Sequence, residues 1–131
     1  MLKNLRIVFL LLILIPCMLL SGCVSVATPA PYKVPEAPTS YKITYRVSGT
    51  AKGASLTYAN AQGGTEQIEV KIPWQRSFTV KKGAFLYLSA QNIGESGSVT
   101  AEILLDGRAW KSSTSSGAYV IASCSGIAGV E

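Results

Sequence analysis

Three cysteines, Cys17, Cys23 and Cys124, are the only thiols in the 131-residue sequence. Cys23 follows two small residues, Ser21 and Gly22, with Leu20 before them. A backbone and thiol so flanked can enter a narrow enzyme groove. Cys17 lies inside an apolar run near the N-terminus. Once that run is removed and Cys23 is modified, Cys124 has no partner for an intramolecular disulfide. It reads as a small buried hydrophobe rather than a reactive thiol. Histidine is absent, which excludes His-dependent triads and His-ligated metals. The acids Glu66 and Glu69 are an odd number of residues apart, so on a strand they face opposite sides. Paired-carboxylate chemistry is therefore not expected of them. Glu102 falls on the polar face of its strand, and Asp106 is explained by a turn. Gly94-Glu95-Ser96-Gly97 precedes no helix and makes no phosphate loop. The sequence points to no enzyme, no bound cofactor and no metal site.

Binding is carried instead by two aromatics and their neighbours. Trp74 follows Pro73 at a strand boundary. Trp110 follows the Asp106-Gly107 pair by three residues, between Arg108 and Lys111. A rim tryptophan can stack on a sugar or anchor a partner. The competing reading is that each indole packs over an end of the fold. Trp74, Trp110, Arg108 and Lys111 are the candidate partner- or ligand-binding residues.

These side chains need elements to hold them, and the first is not part of the domain. Met1 to Arg6 carries two positive charges, and an apolar stretch from Ile7 to Leu20 follows, interrupted only by Pro16 and Cys17. Fourteen helical residues span about 21 Å, short of a hydrocarbon core of about 30 Å. The pattern is that of a secretory leader over residues 1–22. It ends in Leu20-Ser21-Gly22-Cys23, which resembles the lipobox of bacterial lipoproteins. That resemblance implies a diacylglycerol on the Cys23 thiol, cleavage before Cys23, and a further acyl chain such as palmitate on the new amine. Two or three acyl chains suffice for stable membrane anchoring. The expected location is extracytoplasmic, on the cell membrane or the outer membrane. Residues 23–40 then hold the lipidated cysteine and a linker with prolines at 29, 31, 35 and 38. Proline at this density forbids helix and central strand. Sixteen extended residues reach about 50 Å at most.

From Tyr41 the hydrophobic period becomes two. Tyr41, Ile43, Tyr45 and Val47 alternate with polar residues, as a half-buried strand does. Ser55–Ala59 is a second strand, Ile68, Val70 and Ile72 mark a third, and Phe78 and Val80 a fourth. Ala84–Ala90 is apolar on both faces and reads as a central strand covered on both sides. Val99 to Leu105 alternates again. Asp106-Gly107 is a type I′ hairpin signal, since both positions need φ > 0. Arg108–Lys111 is the return strand, Ser112–Gly117 a polar loop, and Ala118–Cys124 the last strand. Seven to eight short strands without a helical window make residues 41–131 an all-β antiparallel sandwich. A small closed barrel is the alternative.

Net charge is +5, and ten basic against seven acidic residues beyond the leader leave +3. The basic residues are scattered, with only Lys81 and Lys82 adjacent in the domain. A nucleic-acid footprint is a clustered stripe, so no nucleic-acid partner is expected.

Pro73-Trp74, Phe78-Thr79-Val80, Ala90-Gln91, Ile103 to Gly107 and Gly117-Ala118-Tyr119 follow one another in a recognisable order. With Tyr45-Arg46-Val47-Ser48-Gly49 and Leu56-Thr57-Tyr58, they resemble the extracytoplasmic domain of the MmpS family of small mycobacterial membrane proteins. The resemblance covers about residues 41–124. It implies an immunoglobulin-like β-sandwich and an accessory role beside large RND-type (MmpL-like) transporters that export lipids or siderophores. The sequence thus leads to a membrane-anchored lipoprotein that binds another envelope protein through an edge strand or the turn near Trp110. A small-ligand or cell-wall glycan binder using a surface tryptophan is the rival reading.

Overall fold

The computed structural model describes residues 27–131. Cys17, Cys23 and the leader lie outside the described residues. The chain divides into two units, Met1–Pro35 and Glu36–Glu131. Residues 27–35 form neither strand nor helix, and their side chains are exposed.

The second unit is built of eight strands: β1 (Ser40–Ser48), β2 (Gly53–Ala59), β3 (Thr65–Lys71), β4 (Trp74–Lys81), β5 (Phe85–Asn92), β6 (Ser98–Leu105), β7 (Arg108–Ser116) and β8 (Ile121–Ile127). They form two antiparallel four-stranded sheets, ordered β4-β1-β6-β7 and β3-β2-β5-β8. The sheets do not close on each other, so the architecture is a sandwich rather than a barrel. Among the described residues there is no helix.

Period-two alternation explains the packing. Ile43, Tyr45 and Val47 of β1, Leu56 and Tyr58 of β2, Leu86, Leu88 and Ala90 of β5, and Val99, Ala101 and Ile103 of β6 make one buried cluster between the sheets. Tyr45 and Tyr58 are the largest of these. The Tyr45 hydroxyl donates to the Ala59 carbonyl at 2.9 Å and accepts from the Tyr87 amide at 3.3 Å. Burial pushes its pKa up to about 12. Tyr58 and Phe78 stand edge-on to it, with ring centroids 5.7 and 5.0 Å away.

Consecutive strands run up and down, so the connections separate into two poles. The near pole, where the chain leads into β1, gathers residues 60–64, 82–84, 106–107 and 128–131. The far pole gathers residues 49–52, 72–73, 93–97 and 117–120. Nine-residue β1 sets them about 30 Å apart. Asp106 and Gly107 both have positive φ (50° and 81°), as the hairpin signal requires.

Trp74 stands at a strand boundary as expected: it is the first residue of β4, where its backbone pairs with Val47 of β1. Three sequence readings are corrected. Ser112–Ser116 is strand rather than loop. It pairs along β6, and the Thr114 and Thr100 hydroxyls bond at 2.8 Å. The last strand is displaced to Ile121–Ile127, since Gly117 and a left-handed Tyr119 form the turn before it. β5 is central between β2 and β8 but is not covered on both sides, since Phe85 on its outer face is 60% exposed.

Candidate functional site

Trp110 sits at a β-bulge. Ile103 opposes Lys111 and Leu104 opposes Ala109, so Trp110 is the extra residue on β7. Continuing the pairing from Leu104–Ala109 already sets Trp110 on the face of the buried Ile103, toward the core, and the bulge brings Lys111 opposite Ile103 as well. A Cβ placed on Gly126 of β8 would meet the indole at 2.3 Å. Gly126 is therefore glycine because the ring lies on its α-carbon. The Lys111 ammonium sits 5.0 Å from the ring centroid, in cation–π range. Arg108 is exposed in the near-pole hairpin.

Trp74 lies at the other edge of the same sheet, on β4. Its ring is 5.7 Å from that of Tyr58, and it packs against the core. The four candidate residues therefore do not form one site. Trp110 and Lys111 are together, Arg108 is nearby in sequence on the same strand, and Trp74 is across the sandwich. Each indole fills the gap between sheets on its own side, as the packing reading has it.

The two long sides differ in their charge. On the β3–β4 side the inward positions include Glu66 and Arg76, whose side chains meet at 2.9 Å across the gap between sheets. Arg76 also donates to the Tyr58 hydroxyl, and its guanidinium stacks 5.6 Å from that ring. The Tyr58 hydroxyl, then the guanidinium, hold the Glu66 carboxyl below the usual carboxylate range. Burial raises the Tyr58 pKa. Glu69 faces outward, opposite to Glu66, as the spacing requires. With Lys71 and Lys81, these two edge strands carry charge on both faces.

The β7–β8 side carries little. β8 reads Ile-Ala-Ser-Cys-Ser-Gly-Ile, with no charge and no proline. Its outer face shows Ile121, 55% exposed, and Ile127, 44% exposed. β7 has charge only at Arg108 and Lys111, followed by five hydroxyl residues. The Ser115 hydroxyl donates to the Ile121 carbonyl at 2.7 Å. Cys124 is free and faces inward, its thiol 3.6 Å from the Ala101 carbonyl. Burial and then the Glu102 charge push that thiol up to about 11, so it is not a nucleophile at neutral pH.

A cleft of about 710 Å³ opens at the far pole. Its lining includes the apolar Val70 and Ile93 and the charged Lys52, Glu69, Lys71 and Glu95. Its loops are fixed. A Cβ on Gly49, whose φ is +135°, would come within 2.1 Å of the Ser98 carbonyl oxygen. Thr50 and Ser98 bond through amide and hydroxyl on both sides. Asn92, 1% exposed, donates to the Ser96 and Gly117 carbonyls and accepts from the Gly94 amide. Sequence reasoning missed this cleft, because its walls come from three separate loops and strand ends. The local signal was the Gly94-Glu95-Ser96-Gly97 loop, which lines it. Among the described residues no cluster of three metal-ligating side chains occurs.

The chain matches no known protein-family profile and no curated protein sequence.

Proposed function

We propose that the chain is a membrane-anchored lipoprotein, acylated at Cys23, whose domain is a non-enzymatic interaction module of the cell envelope. It takes a strand of a partner protein on its β7–β8 side. The observation that carries this reading is β8 itself: an edge strand of seven residues without charge or proline. Natural sheets blunt such edges with charges, bulges or cover, because an open row of amides and carbonyls pairs with any available strand. Here β3 and β4 are defended and β8 is not. Strand addition is an established mode of recognition.

The MmpS resemblance supplies the chemistry of the partner, an RND-type transporter in the same membrane, and an immunoglobulin-like topology for the sandwich. A photo-crosslinker at Ser125 of β8 and another at Glu69 of β3, in native membranes, test the proposal. Recovery of a large multispanning protein through position 125 and not 69, lost in Cys23→Ala, is the expected result. Equal recovery through both positions, or through neither, overturns it.

A second reading has its own observation. The far-pole cleft falls in the size range of small-ligand sites. A small-ligand or glycan binder would use that cleft rather than Trp74 or Trp110, since both indoles pack against the core. Glycan titration followed by chemical shifts of Ile93–Ser96 separates it from strand addition, which moves β8 resonances instead.

A further inference from the structure

We infer that the near pole of the domain, around Phe85 and Lys81-Lys82, is a docking surface for an anionic phospholipid bilayer. The inference rests on the reading that Cys23 is acylated, and extends it from the anchor to the domain. The backbone there is tied together. The Lys82 amide donates to the Thr39 carbonyl at 2.9 Å, the Gly83 amide to Ala128 at 2.8 Å, and the Ala128 amide to Ala84 at 2.9 Å. The turn before β5 and the residues after β8 thus form one fixed surface, at the point where the chain leads in.

Three large apolar side chains are exposed on that surface: Phe85 at 60%, Ile127 at 44% and Val130 at 52%. Phe85 and Ile127 are direct partners in the β5–β8 ladder. Further along the same outer face come the hydroxyls of Ser125 and Ser123 and then, at the far end, Ile121. Phe85, Ile127 and Val130 therefore form a patch of their own, separated along β8 by hydroxyls from the far-pole Ile121, Ile93 and Tyr119. Lys81 and Lys82 are exposed beside it, and among the described residues neither forms an ion pair. The acids of this pole are Asp106, whose carboxylate accepts the Lys42 amide at 2.8 Å, and Glu131.

Apolar side chains flanked by lysines are what an interfacial site on anionic lipid needs. The apolar groups enter the acyl boundary while the ammonium groups meet phosphate. A domain tethered by a linker that reaches about 50 Å would otherwise sample every orientation. Docking the near pole points the far-pole cleft away from the bilayer and leaves the β8 edge beside the membrane, within reach of a membrane-embedded partner.

The test uses the full chain, expressed with its lipidation machinery, purified from membranes and placed in nanodiscs of phosphatidylcholine with phosphatidylglycerol. Lipids carrying a headgroup nitroxide broaden nearby amide resonances. The expected result is several-fold stronger broadening at residues 82–86 and 127–130 than at residues 93–96. It should fall about tenfold or more in Lys81→Ser/Lys82→Ser, or in phosphatidylcholine alone. Phe85→Ser/Ile127→Ser should abolish it with the remaining spectrum unchanged. Equal broadening at both poles, or broadening confined to residues before 40, overturns the inference. Near-pole shifts that follow protein concentration rather than lipid composition overturn it too, in favour of a second copy of the chain. Intact mass is read on the same sample. A missing acyl mass overturns the anchoring reading and this inference together. An acylated chain with a flat pattern overturns this inference alone.

Discussion

On the β3–β4 side, Glu66 and Arg76 turn inward and meet at 2.9 Å between the two sheets. On the β7–β8 side, the same gap is filled by the Trp110 indole lying on the α-carbon of Gly126. Inward charges on edge strands are a recognised guard against pairing with another chain. They are tolerated on the first side because Glu66, Arg76 and the Tyr58 hydroxyl satisfy one another. The second side has the better-filled gap and the worse-guarded edge. Its interior is closed by an aromatic ring, while the backbone edge of β8 is left without a single charge. One domain thus has one pair of edge strands carrying inward charge and, in β8, an edge strand carrying none.

The largest effect should follow from breaking the filled gap. Gly126→Val drives the side chain into the indole. Overpacking and an expelled aromatic together should cost about 3 kcal/mol, read by urea unfolding. Trp110→Leu combined with Gly126→Ala should be less destabilised than the sum of the single changes. An additive result would mean that ring and glycine are not in contact.

The next effect separates the core from both sides. Tyr45 has its pKa raised to about 12 and Cys124 to about 11, both chiefly by burial. A raised folded pKa contributes stability that is complete below the unfolded value. That stability is lost as pH rises toward the folded value. Unfolding should therefore set in between about pH 9 and 12, where both groups are forced to ionise. Tyr45→Phe removes the tyrosine's share of that dependence. It also leaves the Ala59 carbonyl without its donor, at about 1–3 kcal/mol. Stability curves of wild type and variant across that pH range check both statements.

How much of this was legible follows the physics of each segment. Tyr41–Val47 could be read because one face is fully buried, which enforces alternation. Asp106-Gly107 could be read because few residues tolerate positive φ. Ser112–Ser116 could not, since a hydroxyl run carries no hydrophobic period and is strand only through its ladder to β6. Ala84–Ala90 shows apolar residues on both faces, and sequence cannot tell a covered outer face from one that shows Phe85 to solvent. The two tryptophans looked equivalent. Only the pairing across the Asp106-Gly107 hairpin puts Trp110 on the inward face of Ile103, and only pairing with β1 places Trp74 at the opposite edge of that sheet.

A smaller effect on stability should accompany a large one on recognition. Ser123→Lys places a charge on exposed β8, where nothing opposes it. Stability should change by less than about 0.5 kcal/mol. Partner crosslinking at position 125 should be lost, because the guard now present on β3 and β4 has been added to β8. Crosslinking that survives the lysine would show that the partner does not come by strand addition.

The smallest change in stability should come from the guarded side, and it carries the sharpest test of why the guard exists. Arg76→Ala removes the cation that meets Glu66 and stacks on Tyr58. The ion pair is exposed to solvent, so its loss should lower Tm by only about 2 °C. Glu66 has its pKa lowered, first by the Tyr58 hydroxyl. Its contribution is therefore present above the unfolded carboxylate pKa and is lost as pH falls through the folded one. In wild type, acid should weaken this side, and in Arg76→Ala that acid dependence should shrink. Self-association should respond far more. With both Glu66→Ala and Arg76→Ala, the β3 and β4 edges lose their inward charges and expose Ile68, Phe78 and Trp74 at an open gap. Sedimentation velocity should then show dimers or larger species that wild type lacks at the same concentration. A double variant that stays monomeric would mean that β3 and β4 are kept apart from other chains by their shape and not by their charge, and the undefended state of β8 would lose its meaning as a sign of a partner.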